Sequence, residues 1–421
     1  MNEMNIPAIR FAGFAEDWEK RKLSAIASIK ARIGWQGLTQ KEFLDGGDYY
    51  LITGTDFAEG TIDFPNCHYI GEDRYKQDTN IQVKARDVLI TKDGTIGKVA
   101  YIKELDKPAT LNAGVFVIRG RDEFTSNLYM YHYLAAPFLL DYADEQATGG
   151  TIKHLNQNVL VNFPVPMPSV AEQEKVGQFF SAVNDLITLH QREHDKTVNI
   201  KKALLEKMFP KAGEDNPEIR FAGFTNAWEQ RKLGDLMNVT SVKRIHQSDW
   251  TNIGVRFLRA RDIISAAKGE HEKSNDYLYI SKEKYEEYTA LSGKVSIGDL
   301  LVTGVGTIGI PLLINNIDPL YFKDGNIIWF QNKGMIDGNF LYYSFWSSNI
   351  RDFINESAGI GTVGTYTIES GKKTPIFLPR LNEQVKIGEL FLSLDRLIAL
   401  HQRELTKLQN IKKALLEKMF V

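Results

Sequence analysis

The chain has a single cysteine, Cys67. A disulfide framework and a cysteine-based zinc site are therefore impossible within one chain, and the cytoplasm is the expected compartment. Charge of either sign is not in excess. The chain carries 51 Lys+Arg against 53 Asp+Glu, a net −2, with a pI of about 6.5. A chain that held DNA alone would usually be more basic. No apolar run approaches the ~18 residues of a membrane span. The opening MNEMNIPAIRFAGF lacks the basic and apolar regions of a secretory signal. What remains is 43% hydrophobic and 25% charged, the composition of ordinary folded protein. At 421 residues, roughly two to four domains are expected.

The chain is written twice. Pro7–Leu23 (PAIRFAGFAEDWEKRKL) returns as Pro217–Leu233 (PEIRFAGFTNAWEQRKL), matching at 12 of 17 positions. Glu172–Phe209 returns as Glu383–Phe420, matching at 24 of 38, and both copies end NIKKALLEKMF. Between these blocks the halves diverge. Only Asp87–Gly97 (DVLITKDGTIG) and Asp299–Gly309 (DLLVTGVGTIG) echo each other, and FPVPMP and TPIFLP close the two variable stretches. Each half is thus a variable body followed by a nearly constant tail. This pattern is expected when scaffolding is kept and recognition is changed.

The tails predict helices. Neither has an internal proline, and both are dense in Leu, Glu, Lys and Ala. Ser169 to Glu172 has the pattern of a capping box, Asn382 is the expected N-cap of the second tail, and Pro210 ends the first. A helix of this length spans about 57 Å, which suggests a coiled coil. The apolar spacing predicts a seam at Ile387, Leu390, Leu394, Leu397, Leu408, Ile411 and Leu415, interrupted by His401 and Glu404. In the first tail the corresponding seam is Val176, Phe179, Val183, Leu186, His190, Glu193, Ile200 and Leu204. Antiparallel pairing would bring the two His-x-x-Glu layers together, where a polar layer fixes register. Alternatively, the seam is rotated and these residues form a solvated face.

The bodies read as mixed α and β. Strands are expected at Tyr49–Thr53, Asp87–Thr91, Val115–Arg119 and Asn326–Phe330. One helix each is expected at Phe124–Leu140 and Met335–Ile354. PKAGEDNP is a polar linker. Catalytic motifs fail on inspection. KDGTIGK at Lys92–Lys98 lacks the first glycine and the Ser/Thr of a phosphate loop, and no zincin, EF-hand or nucleophile-elbow pattern occurs. No catalytic residue and no metal ligand is expected.

A diverged body closed by a proline-rich segment, then a long EQ-initiated helix ending LLEKMF, all repeated once, resembles the specificity subunit of type I restriction–modification systems. The FxGFxxxWExRKL openings and DxLxTxxGTIG segments carry the same resemblance, which covers essentially the whole chain. It implies an α+β fold. Residues 1–168 and 217–379 would be target recognition domains, each reading half of a split, asymmetric DNA site. Residues 169–209 and 380–421 would be spacer helices packed as an antiparallel coiled coil, with 210–216 as linker. Two methyltransferase subunits would dock on the helices and methylate adenine, and two restriction subunits could join. S-adenosylmethionine, ATP and Mg would sit on those partners, and this chain would bind no cofactor and catalyse nothing alone. No membrane association is implied.

Candidate DNA contacts in the first body are Lys92, Thr95 and Lys98, from a glycine-bounded turn where backbone can approach phosphate. Thr307 matches Thr95 in the second body. Alternatively, GTIG is a structural hairpin. Arg259 and Arg261 would place two guanidinium groups on one strand face, and arginine is the commonest guanine reader. Thr53 and Thr55 are their counterparts, and an ordinary solvated strand face is the alternative. A rival of another class is a scaffold with two protein-binding heads on a helical rod.

Overall fold

The two tails form helices at Val170–Lys207 and Leu381–Met419. The structure is a computed structural model that describes residues 6–33, 37–93, 96–146, 155–269, 277–358 and 364–420. The chain divides into two compact units. One is Met1–His190 with Arg403–Val421, and the other is Gln191–Gln402. Each unit therefore holds one body, the start of that body's own long helix and the end of the other.

The two bodies repeat the first sheet and share the parallel pair of the second, whose flanking strands differ. In the first unit, Ala27–Ala31, Val115–Gly120, Val88–Thr91 and Val99–Tyr101 form an antiparallel sheet in that order. A second sheet runs His68–Tyr69, Tyr50–Ile52, Ala109–Leu111, Gln82–Val83, and its two central strands are parallel. In the second unit the first sheet is Asn238–Thr240, Ile327–Gln331, Leu300–Thr303 and Pro311–Leu313. The second is Trp250–Thr251, Leu278–Ile280, Val255–Leu258 and Leu320–Phe322, with the last two strands parallel. Near-continuous apolar strands such as VLIT and IIWF are buried because both faces of the sheet are covered. The expected strands are present. Each expected single helix is instead two. Asn127–Leu134 stops before Pro137, which has no N–H to donate, and Phe138–Gln146 follows. Gly338–Ser344 and Ser348–Ser357 are separated by a tight turn, in which Ser347 donates its amide and its hydroxyl to the Ser344 carbonyl.

The repeated openings clip onto the helices. Arg10 holds Glu172 through two bonds of 2.6 and 2.8 Å, and Trp18 Nε1 donates to the same carboxylate. Arg220 grips Glu383 in the same way. Glu172 is thus consumed by a buried ion pair and does not cap its helix, contrary to the capping-box expectation. The second helix begins at Leu381, one residue before the expected cap Asn382. Gln173 donates to the Pro168 and Phe124 carbonyls and accepts from the Ser126 amide, which fastens the helix start to the body. Gln384 does the same with Pro379 and Asp337. The lone glycine of each helix permits this approach. A Cβ on Gly388 would lie 2.6 Å from Asp337 Oδ1 and 3.0 Å from the Phe340 amide. Gly388→Ala is expected to cost about 1–3 kcal/mol by overpacking. Chemical denaturation would register this as a shifted midpoint, and an unchanged midpoint would show that the contact gives way.

Each body's core is closed by the end of the other copy's helix. Leu416, Met419 and Phe420 enter the first core, and Met208 and Phe209 enter the second. The start of one helix therefore lies beside the end of the other, antiparallel, in both units. Phe180 stacks on Phe420 at 5.5 Å, and Phe391 on Phe209 at 5.9 Å. The inward positions of the first helix are Val176, Phe180, Val183, Ile187, His190, His194, Thr197, Lys201, Leu204 and Met208. Those of the second are Ile387, Phe391, Leu394, Ile398, His401, Leu405, Leu408, Lys412, Leu415 and Met419. Half of the expected seam is correct. The other half, from Phe179 to Ile200 and from Leu390 to Ile411, is displaced by one residue. Leu186, Ile200, Leu397 and Ile411 are exposed.

The two closures differ in one polar cluster. In the second unit Lys201 pairs with Asp395 at 2.5 Å, and Tyr343 donates to the same carboxylate at 2.6 Å. In the first unit His132 stands where Tyr343 does, bonded to Ser181 Oγ at 3.1 Å, and Asn184 replaces Asp395. Burial, and then the charge of Lys412, push the His132 pKa down to about 3, opposed by a hydrogen bond with the Gly177 backbone and by the charge of Asp185. Burial also lowers the pKa of Lys412. The unfolded histidine takes up a proton near pH 6.5, whereas the folded one does not. Stability contributed here is complete above pH 6.5 and is lost as pH falls from 6.5 toward 3, at about 1.4 kcal/mol per pH unit. Wild type should lose about 2 kcal/mol more than His132→Gln between pH 7 and pH 5. Equal losses, measured by urea denaturation, would rule out a neutral buried histidine.

Candidate DNA interface

Three backbone hydrogen bonds recur in both bodies and stitch the same four segments together at one end. Asn112 N donates to Ile52 O, Lys92 N to Gly114 O, and Leu155 N to Lys92 O. The second body repeats them as Lys323 N to Leu258 O, Gly304 N to Asn326 O, and Tyr366 N to Gly304 O. The turn after the central parallel strand, the GTIG loop, the turn after the other parallel strand and the segment ahead of the closing helix thus converge. Loops at the end of a rigid scaffold are where binding residues concentrate.

Of the residues expected from sequence, those that are described lie on these segments or directly beside them. In the first body Gly54, between Thr53 and Thr55, faces the GTIG loop: a Cβ added there would lie 3.7 Å from the Asp93 carbonyl. Lys92 is half-buried over the Phe116 ring and Lys98 is exposed. Thr95 lies outside the described residues. Thr307 is exposed at the matching loop of the second body. The DxLxT part of the motif is structural. Asp87 accepts from the Lys84 amide and from Arg119, and Asp299 accepts from the Ser296 amide, Trp329 Nε1 and the Asn332 amide. Thr91 Oγ1 accepts from Lys98 N, and Thr303 Oγ1 accepts from Ile310 N while donating to Thr307 O. Gly97 and Gly309 close the loops at φ +74° and +75°, a conformation that favours glycine.

Arg259 and Arg261 do not share a strand face. The strand ends at Leu258, and Arg259 precedes the helix Ala260–Ala267. Asp262 turns the chain there. Its carboxylate accepts from the Arg259 amide at 2.8 Å and from the Arg259 guanidinium at 2.8–3.1 Å. Asp56 organises the corresponding turn of the first body, accepting from the Thr53 amide at 2.6 Å and the Thr53 hydroxyl at 2.9 Å. The sequence reading missed these two buried aspartates, although ITGTDF and LRARDI share them at the same step. The bodies therefore keep one scaffold and move its cations. The first carries Lys92 and Lys98 on the GTIG loop, where the second has Gly304 and Ile310. The second carries Arg259, Arg261 and Lys323 where the first has Thr53, Thr55 and Asn112.

On the helices, His190 and His401 lie on the inward row, partly buried, and Glu193 and Glu404 flank it. An outer row comprises Leu186, Leu189, Glu193, Lys196, Ile200, Ala203 and Lys207. It is identical in the second helix as Leu397, Leu400, Glu404, Lys407, Ile411, Ala414 and Lys418. All but the two glutamates are exposed. The inward row differs at four of its ten positions, including His194 against Leu405 and Thr197 against Leu408. No cluster of His, Cys, Asp and Glu suited to a metal occurs among the described residues, and no described helix is long and apolar enough to cross a membrane.

Two copies of one reader-like scaffold on paired antiparallel helices define a two-headed recognition subunit. The family model of the type I restriction modification DNA specificity domain matches residues 15–198 and 226–410. The chain belongs to that family and is a type I restriction–modification specificity subunit. It is 24% identical over 419 residues to the type I restriction enzyme MjaVIII specificity subunit of Methanocaldococcus jannaschii, covering 95% of this chain and 91% of the relative. It is 24% identical over 200 residues to the EcoBI specificity subunit of Escherichia coli, covering 46% and 41%. The crystal structure of the S subunit from M. genitalium shares the fold, with TM-score 0.58 at 15% identity and 99% of both chains covered.

Proposed function

We propose that each body reads one half of a split, asymmetric DNA site and that the long helices set the gap. The recurring three-bond scaffold with exchanged side chains carries this reading, because it holds four segments fixed while altering what they present. Base readout needs only a few polar side chains per half-site. The near-neutral charge is consistent with DNA held jointly with partner subunits. The outer rows dock two methyltransferase subunits. Exposed positions are normally the freest to vary, yet these are identical while the buried row has drifted. Two copies of one surface suit two copies of one partner. Two restriction subunits can join that assembly. S-adenosylmethionine, ATP and Mg belong to the partners, and this chain alone neither methylates nor cleaves.

Gel shift on DNA, with and without a cognate methyltransferase subunit, followed by methylome mapping of the host, tests this. The expected result is partner-dependent binding and a bipartite methylated adenine motif. Partner binding with no DNA retention would favour a protein scaffold, and methyl transfer by the isolated chain would contradict the division of labour.

A further inference from the structure

We propose that Arg261 reads a guanine in the half-site of the second body, and that Arg259 is a positioning residue that keeps it available. The proposal rests on the DNA-reading function above.

The Asp262 carboxylate is 2% exposed and the Arg259 side chain 16%. Their bidentate contact, added to the amide bond that turns the chain, occupies both groups. Arg259 is thereby unsuited to contact DNA, although it sits in the sequence pattern that suggested it. Arg261 is 60% exposed, and its Nε forms only a long outer ion pair with Asp262 at 3.6 Å, of the solvent-exposed kind that contributes little. It stands in the first turn of its helix, where the macrodipole disfavours a cation. Folding therefore gains little from a cation at this position. The counterpart in the first body is the neutral Thr55, on the same turn and beside the same buried aspartate. The scaffold thus needs no arginine there, and the charge is explained by what it meets outside. The place is the end of the body where the four segments converge. An exposed planar fork with five donors matches the O6 and N7 acceptors of guanine in the major groove. Arg259 supplies the second half of the device. With Asp262 held by Arg259 at 2.8 Å, the Arg261 guanidinium stays at the outer edge of the carboxylate and is not drawn fully onto it.

Three variants test this in the complex with the methyltransferase subunit, read by methylome mapping. Arg261→Ala places a strong helix former in an exposed first turn, so folding is preserved. Arg261→Lys keeps the charge and removes the fork. Arg259→Thr installs the cap that the first body uses, leaving Asp262 to capture Arg261. Arg261→Ala and Arg261→Lys should relax one G·C position in one half of the motif, losing about ten- to a hundredfold in discrimination there. Arg259→Thr should relax that same position to a smaller extent, and the other half should be unchanged throughout. A phosphate contact would instead lower methylation evenly with Arg261→Ala and leave the motif intact with Arg261→Lys, which would overturn the proposal. So would a wild-type motif with no G·C pair in that half, or an unaltered motif in both Arg261 variants. A wild type with no bipartite motif would overturn the DNA-reading function itself, a separate outcome.

Discussion

Phe420→Ala is expected to cost the first unit about 3–5 kcal/mol. The ring lies within 5.3–6.2 Å of Tyr133, Tyr129, Phe180 and Phe138 and is 3% exposed. Removing it opens a cavity among four aromatic rings, two of which are anchored against collapse because Tyr129 donates to the Pro166 carbonyl and Tyr133 to that of Pro164. It also loosens the end of the second long helix from the first body. Phe209→Ala should act similarly on the second unit, where the ring meets Phe340, Phe391 and Trp228. Denaturation followed by near-ultraviolet circular dichroism checks both. A loss below about 1 kcal/mol for either would mean that the tails do not close the cores.

Adding one seam-compatible heptad to each helix, after Lys196 and after Lys407, is expected to abolish methylation at the original site and create it at one with a longer gap. Seven residues keep the inward row inward, whereas another length rotates it away. They add about 10.5 Å at the helical rise. At about 3.4 Å per base pair, the gap grows by at most roughly three base pairs. Both half-sites should keep their sequence. A folded, partner-binding variant that still methylates at the original gap would show that the helices do not measure the site.

The repeat, the long helices and the strands were legible because each is a local pattern. VLIT and IIWF announce buried strands, and proline-free Leu/Lys/Glu stretches announce helices. The inward row was legible only in half. Each helix carries two apolar rows, and the outer one has Leu186, Leu189 and Ile200, while the inner one includes His190, His194 and Lys201. Hydrophobicity cannot tell a seam from a second contact face when the polar residues lie on the buried one. At the candidate interface the GTIG turn was visible, but the conformation at Arg259 was not. It depends on Asp262 taking the arginine beside it, and a strand pattern of alternating residues carries no such information. The EQ pairs were read as a helix start. Their work, the glutamates gripping Arg10 or Arg220 across 162 and 163 residues and the glutamines gripping an earlier helix of the body across 47, needs the fold to be seen.

The most direct test exchanges Leu23–Pro168 for the corresponding block of another member of the family and maps methylated adenine in cells that carry the methyltransferase subunit. If the bodies are separable readers, one half of the bipartite motif changes to that of the donor, while the other half and the gap stay as they were. A motif in which both halves change, or neither does, would contradict the assignment of one half-site to each body.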